Sequence, residues 1–337
     1  MPPYELCPPW SPWSAVPPCE LCTLCPPYPL CPRCARVELR FAKTRSQWSR
    51  MADNAIGVIG GSGLYRLAGL EDPAPVTVQT PFGPPSDELL SGTVHGRRVF
   101  FLPRHGRGHR LLPTELNHRA NIFALRLLGV RWLVSIGAVG SLQETYQPRD
   151  IVLPDQFFDR TSRRSEQTFF GAGIVAHVSF ADPVSAALRT IIAEAATALG
   201  CRVHNGGTYV NMDGPAFSTR AESEFHRRMG FALIGMTAAA EAKLAREAEM
   251  AFAAISFITD FDCWKVHDEP VSAEAVIAHL TANAETARQI LPRVIAKIPT
   301  EPNWPEHRAL DNALITPRNF WPDATVKKLE LLLNRFI

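Results

Sequence analysis

The sequence predicts an α/β fold in which one central sheet is covered by helices on both faces. From Ile56 to Ile298, short apolar runs alternate with longer segments of helical period. Two of those runs, Ile56–Gly60 and Arg131–Ile136, lead into small-residue turns, Gly60-Gly61-Ser62-Gly63 and Gly137-Ala138-Val139-Gly140-Ser141. Strand ends of that kind are where such sheets hold ligands. No period of about 20–50 residues recurs, so a solenoid or propeller is excluded.

Each element has its own signal. Arg97–Pro103 is an apolar strand, followed by the polar loop Arg104–Arg110 and a helix over Leu116–Leu128 that stops near Gly129. Asp182-Pro183 opens a helix to about Gly200, with Pro183 at a favoured early position. Gly207–Met212 reads as a strand. Ser218-Thr219-Arg220-Ala221-Glu222 starts a helix with a capping-box pattern counted from Ser218. Phe231–Met236, Ala240–Met250 and Ala251–Asp260 follow as strand, helix and strand. Ser272–Ile298 is a long amphipathic helix whose stripe runs Val276, Leu280, Ala284, Ala287, Ile290, Val294, Ile298. A last helix lies near Ala324–Phe336.

Composition excludes several function classes. The 337 residues are 46% hydrophobic and 20% charged with net charge +2, and no long run of one sign points to nucleic acid or an anionic membrane. Apolar stretches such as Ala251–Ile255 fall far short of the roughly 20 residues of a spanning helix. The first residues have no lysine or arginine and no apolar core of a signal peptide, so the expected location is the cytoplasm.

Residues 1–50 differ from the rest. Six of eight cysteines precede residue 35, and eleven prolines fall within the first 32 positions. Cys19/Cys22 and Cys31/Cys34 have the spacing of a zinc knuckle, since thiolates two residues apart can grip one tetrahedral ion. Three readings stand open: a disordered or non-native leader with translation starting at Met51, a small zinc module, and disulfides, which a reducing cytoplasm disfavours. A zinc-dependent interaction protein is the reading furthest from an enzyme.

Two constellations carry chemistry. Arg104-His105-Gly106-Arg107-Gly108-His109-Arg110 sets five cationic or potentially cationic side chains in seven residues just after a strand. Arginine forks match phosphate, and a histidine can donate one more bond. With the turns at Gly60 and Gly137 also ending strands, one anion could meet all three; the alternative is a solvated basic loop. At the end of the strand Ala251–Asp260 stands Thr259-Asp260-Phe261-Asp262-Cys263-Trp264, two carboxyl groups leaving the sheet end on one side. They suit a magnesium ion, a buried arginine, or the edge of an adenine, with one acid protonated toward N7 and the other accepting from the 6-amine. Phe217 on a Gly-Pro turn could stack on a base, and Met236 could pack on a sugar face, with Thr237 reaching phosphate.

These residues resemble the trimeric purine nucleoside phosphorylases, and among them the methylthioadenosine phosphorylases. The motifs stand in family order: Ile56 to Tyr65, Thr80-Pro81-Phe82-Gly83 with Pro85-Ser86-Asp87, Arg104-His105-Gly106 with His109, Asn117 to Asn121, Gly140-Ser141-Leu142, Asp155 to Thr161, Gly214-Pro215 with Phe217-Ser218, Gly235-Met236-Thr237, and Thr259 to Trp264. The resemblance implies a three-layer fold with a central mixed sheet, and a homotrimer. It divides the chain into a leader (1–50), a phosphorylase domain (51–300) and a tail with a short helix (301–337). It implies that Ser62, Arg104, His105, Ala138 and Thr237 hold phosphate, that Phe217, Asp260 and Asp262 hold adenine with Asp260 as the acid, and that Met236 lies under the ribose. His177, from a neighbouring subunit, with Ala273 and Val276, would form an apolar pocket for the 5' substituent. The implied reaction splits 5'-methylthioadenosine with phosphate and needs no metal or organic cofactor; the alternative is a 6-oxopurine nucleoside such as inosine or methylthioinosine. Relatives carry Thr or Ser where Gly137 stands, a longer polar residue at Ala216, and Met/Val-Pro at Ala239-Ala240.

Overall fold

The computed structural model describes residues 53–61, 69–162, 164–265 and 273–337. The leader, with Met51, Cys19, Cys22, Cys31 and Cys34, lies outside them, as does Ser62. Among the described residues, eleven strands form one mixed sheet: β1 (Ala55–Gly60), β2 (Glu71–Val76), β3 (Leu89–Val94), β4 (Arg97–Pro103), β5 (Val130–Ser141), β6 (Ile151–Leu153), β7 (Gln156–Asp159), β8 (Val203–Asn205), β9 (Thr208–Asn211), β10 (Leu233–Gly235) and β11 (Ala251–Asp260). The helices are α1 (His118–Leu127), α2 (Ala186–Thr197), α3 (Arg220–Arg228), α4 (Ala238–Glu247), α5 (Ala273–Lys297), α6 (Asp323–Lys328) and α7 (Glu330–Leu333).

The middle strands β4, β1, β5 and β11 run parallel, and β1, β5 and β11 are buried along almost their whole length. Such near-continuous apolar runs are what strands covered on both faces require. Alternation along β5 assigns the faces. Trp132, Val134 and Ile136 enter a core with Leu188 and Ile192 of α2 and Ala287, Ile290 and Val294 of α5. Ser135 points the other way, to Glu241 of α4. The α/β layering expected from the sequence is present.

Beyond Ile136 the sheet forks. β1 accompanies β5 only as far as Gly60 opposite Ile136, and β10 then takes its place, antiparallel, with Ile234 opposite Gly140. The fork opens between the ends of β1 and β4 on one side and of β10 on the other.

Several boundaries differ from the sequence expectation. Gly137–Ser141 is not a turn but the second half of β5, because β11 and β10 both pair with it. The helix expected from Pro183 begins at Ala186, after Ser185. The capping box of α3 runs from Thr219 to Glu222, one residue later than read from Ser218. The single last helix is two short ones, α6 and α7.

The last residue of α4, Glu247, anchors the loop that carries Phe169: it accepts from the Thr168 hydroxyl at 2.7 Å and the Phe169 N–H at 2.7 Å. Phe169 in turn packs against Phe82 and Phe123. Burial pushes the Glu247 carboxyl up to about 7, against the pull of those two bonds. A raised carboxyl binds its proton more tightly folded than unfolded, so this group's contribution is full at low pH and is lost as pH rises from the ordinary glutamate value toward 7. Thermal melts should therefore show Glu247→Gln gaining on the parent between pH 5 and pH 8. A difference independent of pH would show that the carboxyl does not titrate in that window.

Candidate active site

Pairing in the sheet builds one end of the site. Gly60 lies opposite both Pro103 and Ile136, which sets Gly61, Arg104 and Gly137 in a row where β1 and β4 stop and β5 runs on. The Gly61 N–H donates to the Ile136 carbonyl (3.0 Å) and the Arg104 N–H to the Gly60 carbonyl (2.9 Å). A Cβ on Gly61 would stand 3.2 Å from Nη1 of Arg104 and 3.0 Å from the Ile136 carbonyl oxygen, so glycine is what lets the arginine pass.

Arg104 is 2% exposed and Glu241 beneath it 1%. They meet as two forks: Nε to Oε1 at 2.5 Å and Nη2 to Oε2 at 3.0 Å. Nη2 also donates to the Ser135 hydroxyl (2.6 Å) and Nη1 to the Ile136 carbonyl (3.1 Å). Burial alone would raise the Glu241 pKa, but the Arg104 charge and hydrogen bonds outweigh it and hold the carboxyl below its ordinary value. The pair is therefore ionic. Four of the five arginine hydrogens are committed to protein, and the fifth is on Nη1, the atom beside Gly61 and Gly137.

The basic loop divides. His105 and His109 stack with centroids 4.4 Å apart and line the cavity with Arg104. Arg107 and Arg110 turn outward to Asp87, at 2.9 and 3.9 Å. Asp87, twenty positions before Arg107, thus holds two of the loop's five cationic side chains, and Arg104, His105 and His109 face the cavity. His105 is pushed down to about 4, by burial first and then by the Arg104 charge, so it is neutral at pH 7.

The other end lies three residues along β5, about 10 Å away at roughly 3.3 Å per residue. There Asp260, the last residue of β11, stands opposite Gly140. It accepts from the Thr259 hydroxyl (2.7 Å) and the Asp262 N–H (2.8 Å). Burial raises its pKa, aided by the Asp262 charge and opposed by both hydrogen bonds. Asp262 adopts a left-handed backbone (φ 53°), which folds its N–H back onto Asp260. A turn, not strand alternation, thus brings the two acids together. Oδ2 of Asp262 is buried with no hydrogen-bond partner among the described residues.

A cavity of about 360 Å³ connects these ends. Arg104, His105, Ala138, Phe217, Met236, Thr237, Asp260 and Asp262 all line it. Phe217 is 57% exposed at its mouth. Met236 packs under the turn at Gly214, whose Cβ would stand 2.5 Å from its sulfur. Gly235 is required one residue earlier, because a side chain there would collide with the Tyr209 hydroxyl.

The family model described as the phosphorylase superfamily matches residues 55–296. The chain belongs to this superfamily. The phosphorylase is 50% identical over 285 residues to the S-methyl-5'-thioadenosine phosphorylase of Geobacter sulfurreducens, covering 85% of this chain and all of that one. It is 52% identical over 286 residues to the protein of the same name from Gloeobacter violaceus, covering 83% and 95%. Among solved structures, a methylthioadenosine phosphorylase from an antarctic soil metagenomic library superposes with TM-score 0.78 at 47% identity, over 83% of this chain and 99% of that one. The methylthioadenosine phosphorylase of Schistosoma mansoni in complex with adenine does so with TM-score 0.69 at 34% identity, over 83% and 98%.

The residues expected around the 5' substituent stand apart from those just described. His177 is exposed beside the C-terminal segment, its N–H donating to the Ala313 carbonyl at 2.8 Å. Ala273 and Val276 fall in the first turns of α5, where the backbone alone is described. The sequence reading had missed Glu241, the partner that orients Arg104. Its signal was present: one acid among alanines, Ala238-Ala239-Ala240-Glu241-Ala242, on a helix with no polar face at that point. Of the departures from the family pattern, Ala216 is exposed, whereas Ala239 and Ala240 are buried at the start of α4, where the Ala239 N–H donates to Asn211. Gly137 has room for more: a Cβ there would meet only Nη1 of Arg104, at 3.8 Å. Gly137→Ser should therefore fold normally and lower the KM for phosphate a few-fold by adding one hydrogen bond of about 1 kcal/mol. An unchanged or raised KM in initial-rate assays would place the hydroxyl away from the anion. Among the described residues no third His, Cys, Asp or Glu joins Asp260 and Asp262 as a metal-ligand set.

Proposed function

We propose that this phosphorylase cleaves 5'-methylthioadenosine with inorganic phosphate, giving adenine and 5-methylthioribose 1-phosphate. The observation that carries the reading is a single cavity with a buried arginine and a neutral histidine at one end and a carboxyl of raised pKa at the other. Relatives of that name, near 50% identity over the whole matched region, support the same reaction.

Phosphate binds beside Arg104, His105, Ala138 and Thr237, with Ser62 as a further ligand by the family resemblance. The purine lies between Phe217 and the acids, and Met236 supports the ribose. As the glycosidic bond breaks, Asp260 donates a proton to N7 and the ribose takes on oxocarbenium character; a phosphate oxygen then captures C1' with inversion. Hydrogen phosphate gives up one proton overall and adenine gains one, so charge balances. Positioning and acid assistance supply the rate enhancement. Two acids at the base edge match a 6-amine better than a 6-oxo group. His177 completes the 5' pocket of a neighbouring subunit in a cytoplasmic homotrimer, with Ala273 and Val276 lining it. The segment division at residues 50 and 300 belongs to the same reading.

A panel of 5'-methylthioadenosine, adenosine, methylthioinosine and inosine at saturating phosphate tests the substrate assignment. The highest kcat/KM is expected for 5'-methylthioadenosine. A higher value for either 6-oxopurine would hand the site to that class.

A further inference from the structure

We infer that the anion subsite grips phosphate through the phosphate's own O–H, with Nε2 of His105 as the acceptor. The subsite thereby selects hydrogen phosphate over tetrahedral anions of equal charge that lack a hydroxyl. This rests on the reading that phosphate occupies the Arg104 end of the cavity.

The polarity of the ring follows from one contact. Nδ1 of His105 lies 2.8 Å from the Leu111 carbonyl oxygen. A carbonyl has no proton to give, so Nδ1 carries the hydrogen and donates it. The loop fixes that geometry: the Arg110 and Leu111 N–H groups both return to the His105 carbonyl, at 2.9 and 3.1 Å, and the ring stacks on His109. A second proton on Nε2 would place another positive charge beside the buried Arg104, and burial together with that charge keeps the ring neutral. Nε2 is then a lone pair on a ring that lines the cavity.

Around the same end stand donors, the remaining Nη1 hydrogen of Arg104 and the Thr237 hydroxyl, each suited to a bare anion oxygen. Nε2 of His105 offers the opposite polarity, an acceptor with no proton to give. An oxygen without hydrogen would set lone pair against lone pair there, whereas a P–O–H satisfies it. A site built around a hydroxyl rejects analogues that lack one, because its own buried group is left unpaired.

The test uses the unmodified enzyme at pH 8, where hydrogen phosphate, sulfate and monofluorophosphate all carry two negative charges and similar size. Each anion is titrated as a competitor against phosphate, with adenine release as the readout. Sulfate and monofluorophosphate should show Ki values at least about tenfold above the KM for phosphate, the cost of one charge-assisted bond. Arsenate, which keeps an O–H, should replace phosphate as the attacking anion and support adenine release with a KM in the range of that for phosphate. Ki values for sulfate and monofluorophosphate within twofold of the phosphate KM would overturn the inference. His105→Gln, whose amide can donate, should bring them within threefold; a variant that is slower but keeps the full gap would also overturn it. Adenine release that needs no phosphate is a different result, and removes the phosphorylase reading itself.

Discussion

Asp260→Asn should lower kcat/KM for 5'-methylthioadenosine by about 10²–10⁴-fold, the usual worth of a positioned general acid. The amide keeps the shape and, through its single oxygen, the bond from the Asp262 N–H, while its nitrogen replaces the oxygen that accepts from Thr259; it has no proton to transfer. Burial already favours the protonated carboxyl, and the neighbouring Asp262 charge favours it further. The rate in the parent should accordingly fall as pH rises through that elevated pKa. The amide can donate to a 6-oxopurine, so inosine or methylthioinosine should lose far less than 5'-methylthioadenosine, and the preference should shift toward them. Steady-state kinetics on both substrate classes decide it. Unchanged adenine release in the variant removes Asp260 from the chemistry.

Glu241→Ala should cost about 3–5 kcal/mol of stability, because it leaves the Arg104 guanidinium buried without its counter-charge. The KM for phosphate should rise with it, since the released fork no longer aims its free Nη1 hydrogen at the anion. Stability and binding separate in the double variant Arg104→Met/Glu241→Ala. An apolar side chain in place of the buried ion should recover much of the stability, and phosphate binding should stay lost. Denaturant unfolding and phosphate titration of both variants provide the measurements. A single variant as stable as the parent would mean that water reaches the arginine.

Much of this fold was legible because the middle strands are apolar throughout: Ala251–Asp260 was read with its observed ends. What escaped reading depended on partners distant in sequence. β5 runs through its glycines because β10 and β11 hydrogen-bond to it there, and a local reading of Gly137–Ser141 sees only small residues. β2, Glu71–Val76, contains Pro73 and Pro75, which argue against a strand until its edge position is known. In the site, Arg104, His105, Asp260 and Asp262 were legible from residue type and strand-end position. The outward turn of Arg107 and Arg110 was not, since it depends on Asp87. Glu241 shows in the sequence only as a charge on a helix with no polar face around it.

The most direct measurement is adenine release from 5'-methylthioadenosine by purified enzyme with and without inorganic phosphate, with the sugar product identified by phosphorus NMR. Release that stops when phosphate is removed, and otherwise yields one 5-methylthioribose 1-phosphate per adenine, is the predicted result. Equal rates in phosphate-free buffer, with free methylthioribose as the product, would contradict it.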